Sequence, residues 1–194
     1  GQKKGQVANH HLAWQMATTD FIWRLDDDNV AEPNVLEILV SKMQDGIGAV
    51  GGLVLDPKMV CNSQFKLASN KIEDALFATG NVQWFKSSQT QEVDHLYSTF
   101  LYRREASKNG YCLDLSVVGH REETIFTYEI KRNGWKLLFE PSALTWHFRQ
   151  PEGGIRQETN PSMWQHDELV FCKKLLEWGI KLNQYKLCVL NNGR

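Results

Sequence analysis

The chain has neither a long apolar segment nor an excess of charge of one sign. Its 194 residues carry 22 basic and 23 acidic side chains, which gives a formal net charge of −1. No uncharged apolar run reaches the about 18 residues that a membrane-spanning helix needs, and residues 1–4 lack the apolar core of a signal peptide. A near-neutral chain also offers no electrostatic basis for binding nucleic acid. We therefore expect no membrane span in this chain, no nucleic-acid partner and a cytoplasmic location.

Cysteine is scarce and irregularly spaced. Cys61, Cys112, Cys172 and Cys188 lie far apart and form no CxxC pair. That spacing argues against a zinc site and fits free thiols in a reducing compartment, with a disulfide left open as the alternative. The hydrophobic share of 42% is sufficient for a substantial core, so we expect a single domain over residues 1–194.

The apolar pattern predicts helices that alternate with strands, which is typical of an α/β protein. The predicted helices cover residues 6–17, 32–46, 121–132 and 162–178, and the predicted strands cover residues 21–25, 49–55, 135–139 and 143–148, with weaker extended pieces at 65–68 and 82–85. The positions expected to face the core are Val7, Leu12, Ala13 and Met16 in the first helix, and Val35, Leu36, Leu39, Val40 and Met43 in the second.

Three consecutive carboxylates, Asp26, Asp27 and Asp28, follow the first predicted strand. Ligands of α/β sheets bind at the carboxyl ends of strands, and hard divalent cations take carboxylates together with substrate phosphates. In an extended segment Asp26 and Asp28 would point the same way and Asp27 the other way. The alternative is an acidic turn that prepares the following helix.

A second acidic pair and a late histidine are further candidates. Glu122 and Glu123 fall in the first turn of a predicted helix, where an ordinary acidic helix start is the alternative. His147 ends a predicted strand, and its alternative is a histidine buried in the core. Arg149 and Arg156 flank a glycine-containing segment that would close on a diphosphate, or else form a solvated loop.

In this order the motifs resemble the family 2 glycosyltransferases of the GT-A fold. Residues 5–33 look like the helix, strand and DxD region of the family, and residues 121–147 are similar to its acceptor-side acidic motif and the segment after it. The match covers roughly residues 1–156. The residues that carry it are Asp26-Asp27-Asp28 and Glu32-Pro33, then Arg121-Glu122-Glu123-Thr124, Asn133-Gly134-Trp135-Lys136-Leu137, Pro141 and Trp146-His147.

The resemblance implies an α/β GT-A-like mixed sheet flanked by helices. It also implies a nucleotide-sugar donor, UDP- or GDP-linked, and transfer with inversion to a carbohydrate or other acceptor hydroxyl. The implied cofactor is a divalent cation, Mn²⁺ or Mg²⁺. By the same resemblance Asp28 would ligate the metal, Asp26 would contact the donor ribose or the metal shell, and His147 would add a ligand. Asp27, Arg149 and Arg156 would lie on the donor side.

The resemblance implies that Glu123 is the catalytic base. Glu122 stays open as the alternative, because Glu-Glu replaces the commoner Glu-Asp pair of the family. Family members begin with a nucleotide-binding half on the order of 70 to 90 residues that precedes the DxD helix. We therefore expect an N-terminal segment or a partner to complete the donor site, with residues 157–194 as a helical C-terminal extension.

Two other function classes compete with glycosyl transfer. One is a catalytically silent, carbohydrate-binding domain of the same fold, with Trp14 and Trp84 as aromatic faces for sugars. The other is a sugar nucleotidyltransferase, which would be expected to carry a Gly-rich basic loop near its start, and the sequence has no such loop. Neither the sugar, the acceptor nor the oligomeric state is readable from the sequence.

Overall fold

The computed structural model describes residues 5–57, 70–79, 86–148 and 161–192. In these residues the helices are α1 Gln6–Met16, α2 Val35–Ser41, α3 Ile72–Thr79, α4 Glu122–Arg132, α5 Pro161–Glu177 and α6 Gln184–Asn192, with a 3₁₀ turn at Arg104–Ala106. The strands are β1 Phe21–Arg24, β2 Asn29–Ala31, β3 Ile47–Leu55, β4 Gln91–Val93, β5 Phe100–Arg103 and β6 Lys136–His147. None of the described helices is long and apolar enough to cross a membrane.

Most predicted elements are present, with ends shifted by a few residues. The helices predicted at 6–17, 32–46, 121–132 and 162–178 correspond to α1, α2, α4 and α5, and the strands predicted at 21–25 and 49–55 correspond to β1 and β3. The predicted extended pieces at 65–68 and 82–85 lie outside the described residues, as do Cys61, Trp84, Arg149 and Arg156.

One mixed sheet organises the fold. Its strand order is β1-β5-β3-β6-β2, and β4 also pairs with β6. β3 and β6 run parallel, whereas the other pairs are antiparallel. β4 pairs with the first half of β6 and β2 with its end. The predicted mixed sheet is therefore confirmed.

Helices cover both faces of this sheet. On one face Phe100 and Tyr102 of β5 pack with Phe126 of α4 and Phe171 of α5 in the main core. On the other face Leu101 of β5 belongs to a smaller cluster. That cluster contains Val35, Leu39, Met43, Ile47, Val50, Leu101 and Ala143. The two clusters follow from the alternation of side chains along a strand.

The predicted apolar face of α1 is wrong. Val7 is buried, but Leu12 is 52% exposed, Met16 is 72% exposed and Ala13 is also exposed. The inward face of α1 is instead polar and aromatic. Gln6 donates a hydrogen bond to Glu122, and Trp14 donates one to Ser107. Hydrophobicity alone therefore selected the wrong side of this helix.

In α2 the prediction is right in part. The helix predicted over residues 32–46 is shorter than expected, because α2 ends at Ser41. Val35 and Leu39 of α2 and Met43 just after it are buried, whereas Leu36 and Val40 are exposed. A helix of seven residues against one sheet face buries only a narrow stripe, which follows the i, i+4 positions.

Pro141 interrupts pairing without ending a strand. Two strands were predicted around it, whereas β6 is continuous from Lys136 to His147. The register with β3 passes from Gly52 opposite Glu140 to Leu53 opposite Leu144, so residues 141–143 bulge out. Proline lacks an N–H group and is tolerated at such a bulge.

Gly52 permits this bulge, and its substitution tests the packing. A Cβ atom at Gly52 would lie 2.0 Å from the backbone carbonyl oxygen of Ala143. We expect Gly52→Ala to lower the free energy of unfolding by about 3 kcal/mol in urea denaturation, because the backbone must move. The matched control is Gly51→Ala, whose Cβ meets the end of the Leu96 side chain at 2.8 Å. Leu96 is buried, but a side-chain end gives way more readily than backbone, so a loss of about 1 kcal/mol is expected, and equal losses would contradict the bulge.

Candidate active site

The acidic triplet forms a turn after β1. The backbone N–H of Asn29 donates to the carbonyl of Asp26 at 3.1 Å, because the chain reverses there to enter β2. The prediction that Asp26 and Asp28 lie in an extended segment is therefore wrong. Their side chains contact different partners, and Asp27 between them is exposed.

Asp28 lies beside His147. The antiparallel pairing of β2 with β6 places Asn29 opposite His147, and the N–H of Phe148 donates to the Asp28 carbonyl at 2.8 Å. His147 Nε2 then lies 3.0 Å from Asp28 Oδ2. The fold thus brings together two of the candidate metal residues that are 119 positions apart in the sequence.

Asp28 and His147 suit a divalent cation whose remaining ligands are water and substrate oxygens. Among the described residues, no group of three or more His, Cys, Asp or Glu side chains is arranged to hold a metal ion. Mg²⁺ and similar ions are commonly held by one or two protein groups, with water and substrate phosphate oxygens completing the shell. The carboxylate of Asp28 and the imidazole of His147 are donor types that Mn²⁺ accepts, so the residues present fit such an ion.

Arg24, the last residue of β1, joins the two acidic motifs. Its Nη2 atom lies 3.1 Å from Asp26 Oδ1, 2.6 Å from Glu122 Oε1 and 3.5 Å from Glu123 Oε1. The side chain is 1% exposed. The turn after β1 and the first turn of α4 are therefore held against one buried guanidinium.

Glu122 and Glu123 have different surroundings. The Glu122 side chain is buried, and its Oε1 accepts hydrogen bonds from Arg24 and, at 3.1 Å, from Gln6 Nε2 of α1. The Glu123 side chain is 24% exposed, and its Oε1 accepts the backbone N–H of Ser98 at 3.1 Å. Of the two candidates, Glu123 alone combines a fixed carboxylate with access to solvent.

The cluster contains three carboxylates and one guanidinium, and burial shifts the pKa values of several of these groups. Burial raises the pKa of Glu122 well above its usual range, although Arg24 opposes the shift, and burial raises the pKa of Asp26 in the same way. Burial also lowers the pKa of Arg24, but the charges of Glu122 and Glu123 outweigh it, so the pKa is raised and the guanidinium stays charged. Burial and the charge of Arg24 lower the pKa of neighbouring His10 to about 4, which leaves its imidazole neutral at neutral pH.

The segment before β5 braces this cluster. Ser98 has a left-handed backbone with φ of 59°, which is uncommon for a residue other than glycine. Its N–H donates to Glu123, and its Oγ accepts Asn29 Nδ2 at 2.8 Å. The Thr99 hydroxyl donates to the Arg24 carbonyl at 2.7 Å. Ser98 and Thr99 thus fix both acidic motifs from one side.

Helix α5 holds the loop that leads into α4. Asp167 of α5 is fully buried and accepts the N–H of Ser116 at 2.6 Å, the Ser116 hydroxyl at 3.0 Å and the N–H of His120 at 2.8 Å. Its neighbour Glu168 accepts Arg121 Nε at 3.3 Å. Residues 116–121 are therefore tied down immediately before the two glutamates.

Three residues that contact the acidic side chains of the candidate site were not predicted from the sequence. They are Arg24, Ser98 and His10. A signal existed for Arg24, because a charge within an apolar strand pattern needs a buried partner. No pattern points to Ser98, whose role depends on backbone conformation, or to His10, whose helix face was misassigned. The predicted donor-side arginines, Arg149 and Arg156, lie outside the described residues.

Three solved structures share this fold. GalNAc-T7, solved with UDP, GalNAc and Mn²⁺, aligns over 86% of this chain and 34% of its own, with 16% identity and a TM-score of 0.59. The mannosyltransferase PcManGT from Pyrobaculum calidifontis, in complex with GDP-Man and Mn²⁺, aligns over 93% and 45%, with 12% identity and a TM-score of 0.55. Residues 1–349 of TarS from S. aureus, in complex with UDP-GlcNAc, align over 96% and 51%, with 14% identity and a TM-score of 0.59.

These likenesses establish the GT-A fold. The chain spans about a third to a half of the length of these structures. No curated protein matches the chain. Residues 2–161 match the family described as "Glycosyltransferase like family 2". That match covers most of the 194 residues, including both acidic motifs and His147, and the protein therefore belongs to the glycosyltransferase-like family 2.

Proposed function

We propose that this protein transfers a sugar from a nucleotide-diphosphate sugar to an acceptor hydroxyl, with inversion at the anomeric carbon. The observation that carries the proposal is the convergence of two distant acidic motifs around Arg24, with Asp28 beside His147 on one side and Glu123 on the other. Family membership and the shared fold support the same chemistry. A metal-binding carboxylate and a separate, accessible carboxylate are the two kinds of group that this reaction needs.

On the donor side, Asp28 and His147 would hold Mn²⁺ or Mg²⁺. When bound, the cation neutralises charge that develops on the departing diphosphate. Structures with a related fold were solved with UDP or GDP-Man together with Mn²⁺, which supports a UDP- or GDP-sugar as donor. The hydrogen bond from the Phe148 N–H to the Asp28 carbonyl fixes the backbone of the turn at Asp28, so that the carboxylate keeps its orientation.

On the acceptor side, Glu123 is the proposed base. In a single displacement, the acceptor oxygen attacks from the side opposite the leaving group, so the base must be separate from the metal carboxylate. Glu123 Oε1 is oriented by the Ser98 N–H, and the side chain is partly exposed to a hydroxyl that approaches from solvent. Glu122 is enclosed by Arg24 and Gln6. These contacts favour a structural role for Glu122 and not the role of base.

Transfer of radiolabelled sugar tests the proposal. The full-length protein is incubated with Mn²⁺, a panel of UDP- and GDP-sugars and a panel of saccharide acceptors, and labelled product is separated from donor. We expect one donor to give a glycosylated product and free nucleotide diphosphate. Donor binding without transfer would identify a catalytically silent carbohydrate-binding domain. Formation of a nucleotide sugar from a sugar phosphate would identify a nucleotidyltransferase.

The metal assignment predicts a contrast between neighbouring aspartates. Asp28→Ala should lower Mn²⁺-dependent transfer by at least about 100-fold, since even outer-shell partners of a metal cost up to that factor. The fold should be retained, because Asp28 lies in a turn outside the core. Asp27→Ala is the matched control, and its exposed side chain should cost far less. Equal losses, or wild-type activity that survives EDTA, would refute the assignment.

The base assignment predicts a contrast between the two glutamates. Positioned base catalysis is worth about 10² to 10⁴ in rate, so Glu123→Gln should lower turnover by that factor with little change in donor affinity. Glu122→Gln should retain far more turnover, although it removes an ion pair with Arg24 and should lower the melting temperature. If Glu122→Gln were the more damaging to turnover, Glu122 would be the base.

A further inference from the structure

One guanidinium nitrogen contacts carboxylates of both acidic motifs. Arg24 Nη2 lies 3.1 Å from Asp26 Oδ1 in the turn after β1, and 2.6 Å and 3.5 Å from the Oε1 atoms of Glu122 and Glu123 in α4. In the described residues, the other two guanidinium nitrogens of Arg24 have no hydrogen-bond partner. The side chain is therefore committed to the carboxylates through a single atom.

The position of Arg24 is fixed by the sheet. β1 pairs with β5 so that Arg24 lies opposite Phe100, and the Phe100 ring packs 5.6 Å from the guanidinium carbon. The Thr99 hydroxyl holds the Arg24 carbonyl. The guanidinium is thus held in place, and its contacts set the distance between the turn after β1 and the start of α4.

Charge gives Arg24 a role that no neighbour in the described residues fills. Asp26, Glu122 and Glu123 all have a carboxylate oxygen within 3.5 Å of Arg24 Nη2, one of them buried and two partly exposed, and like charges gathered around one point repel each other. His10 is the other basic side chain in contact, 3.8 Å from Asp26, and its burial leaves it neutral at neutral pH. Without Arg24, the Glu123 carboxylate would move away from the other two.

We infer that Arg24 is a positioning residue for transfer, which holds the Glu123 base at a fixed distance from the donor-side turn. The inference rests on the proposed function. Arg24 touches no reacting atom, and its effect on turnover at saturating donor passes through Glu123, whereas an effect through Asp26 would change donor affinity. Its removal should therefore lower turnover only while Glu123 is a functional base.

A double-mutant cycle measures this dependence. Turnover is followed as release of UDP or GDP from the UDP- or GDP-sugar that gives the highest rate with Mn²⁺. In the otherwise unchanged protein, Arg24→Met should lower turnover by about 10²-fold, a typical cost of misplacing a reacting group by 1 Å. In the Glu123→Gln background, the same change should have an effect within about 2-fold, because the base is already absent.

Arg103→Met is the matched control. Arg103 lies on β5, which pairs with β1, and it is opposite Phe21. Its guanidinium donates to the carbonyls of Ile47 and Met43. Its loss should lower the melting temperature and reduce turnover by the same factor in both backgrounds. Where Arg24→Met fails to fold, Arg24→Lys serves in the cycle, since lysine keeps the charge but has a shorter reach.

The outcomes separate the two proposals. If no donor is used, the proposed function fails and the role of Arg24 fails with it. If Glu123→Gln retains full turnover, sugar transfer stands but Glu123 is not its base, and the role of Arg24 fails alone. If Glu123→Gln loses turnover but Arg24→Met lowers turnover equally in both backgrounds, the function stands and Arg24 is only structural. A loss that disappears in the Glu123→Gln background, together with additive behaviour of Arg103→Met, supports the positioning role.

Discussion

The parallel pairing of β3 with β6 is the constraint on which the rest of this structure depends. β6 is bonded to β3 along its length, to β4 at its start and to β2 at its end, so its register fixes three other strands. Pairing resumes past Pro141 with the register shifted by residues 141–143, and Gly52 leaves room there for the carbonyl of Ala143 because it has no side chain. Beyond the bulge, β6 ends at His147 beside the turn that contains Asp28.

Paired buried charge is the second organising feature, and it lies where the chain changes direction. Arg24 ends β1, Glu122 begins α4, and Asp167 of α5 holds the loop before α4. Buried charges are tolerated only when they are paired and hydrogen-bonded, so each such contact restricts the backbone on both sides. The acidic groups of the site are therefore held by polar contacts as well as by the apolar core beneath them.

Segments that are distant in the chain meet at the candidate site. The turn after β1 and the end of β6 supply the pair Asp28 and His147, whereas the start of α4 supplies Glu123. The residues before β5 add the Ser98 amide that orients Glu123. Under the proposed function, this division would separate a metal-binding side from an acceptor side, which is the arrangement that an inverting transfer requires.

The sequence by itself determined the class of fold, most helices and strands, and the order of motifs that identifies the family. These depend on local periodicity and on residue types at short spacing, which the sequence displays directly. It also offered Asp28, His147 and Glu123 as candidate site residues, whose roles stay predictions, and it assigned an extended geometry to a turn and an apolar inner face to α1. Only the tertiary structure decided which acidic residues share a partner, that Arg24 is this partner, and that Glu122 is buried while Glu123 is accessible. The physical reason is that burial and charge pairing depend on strand register between residues about a hundred positions apart, which no local pattern records.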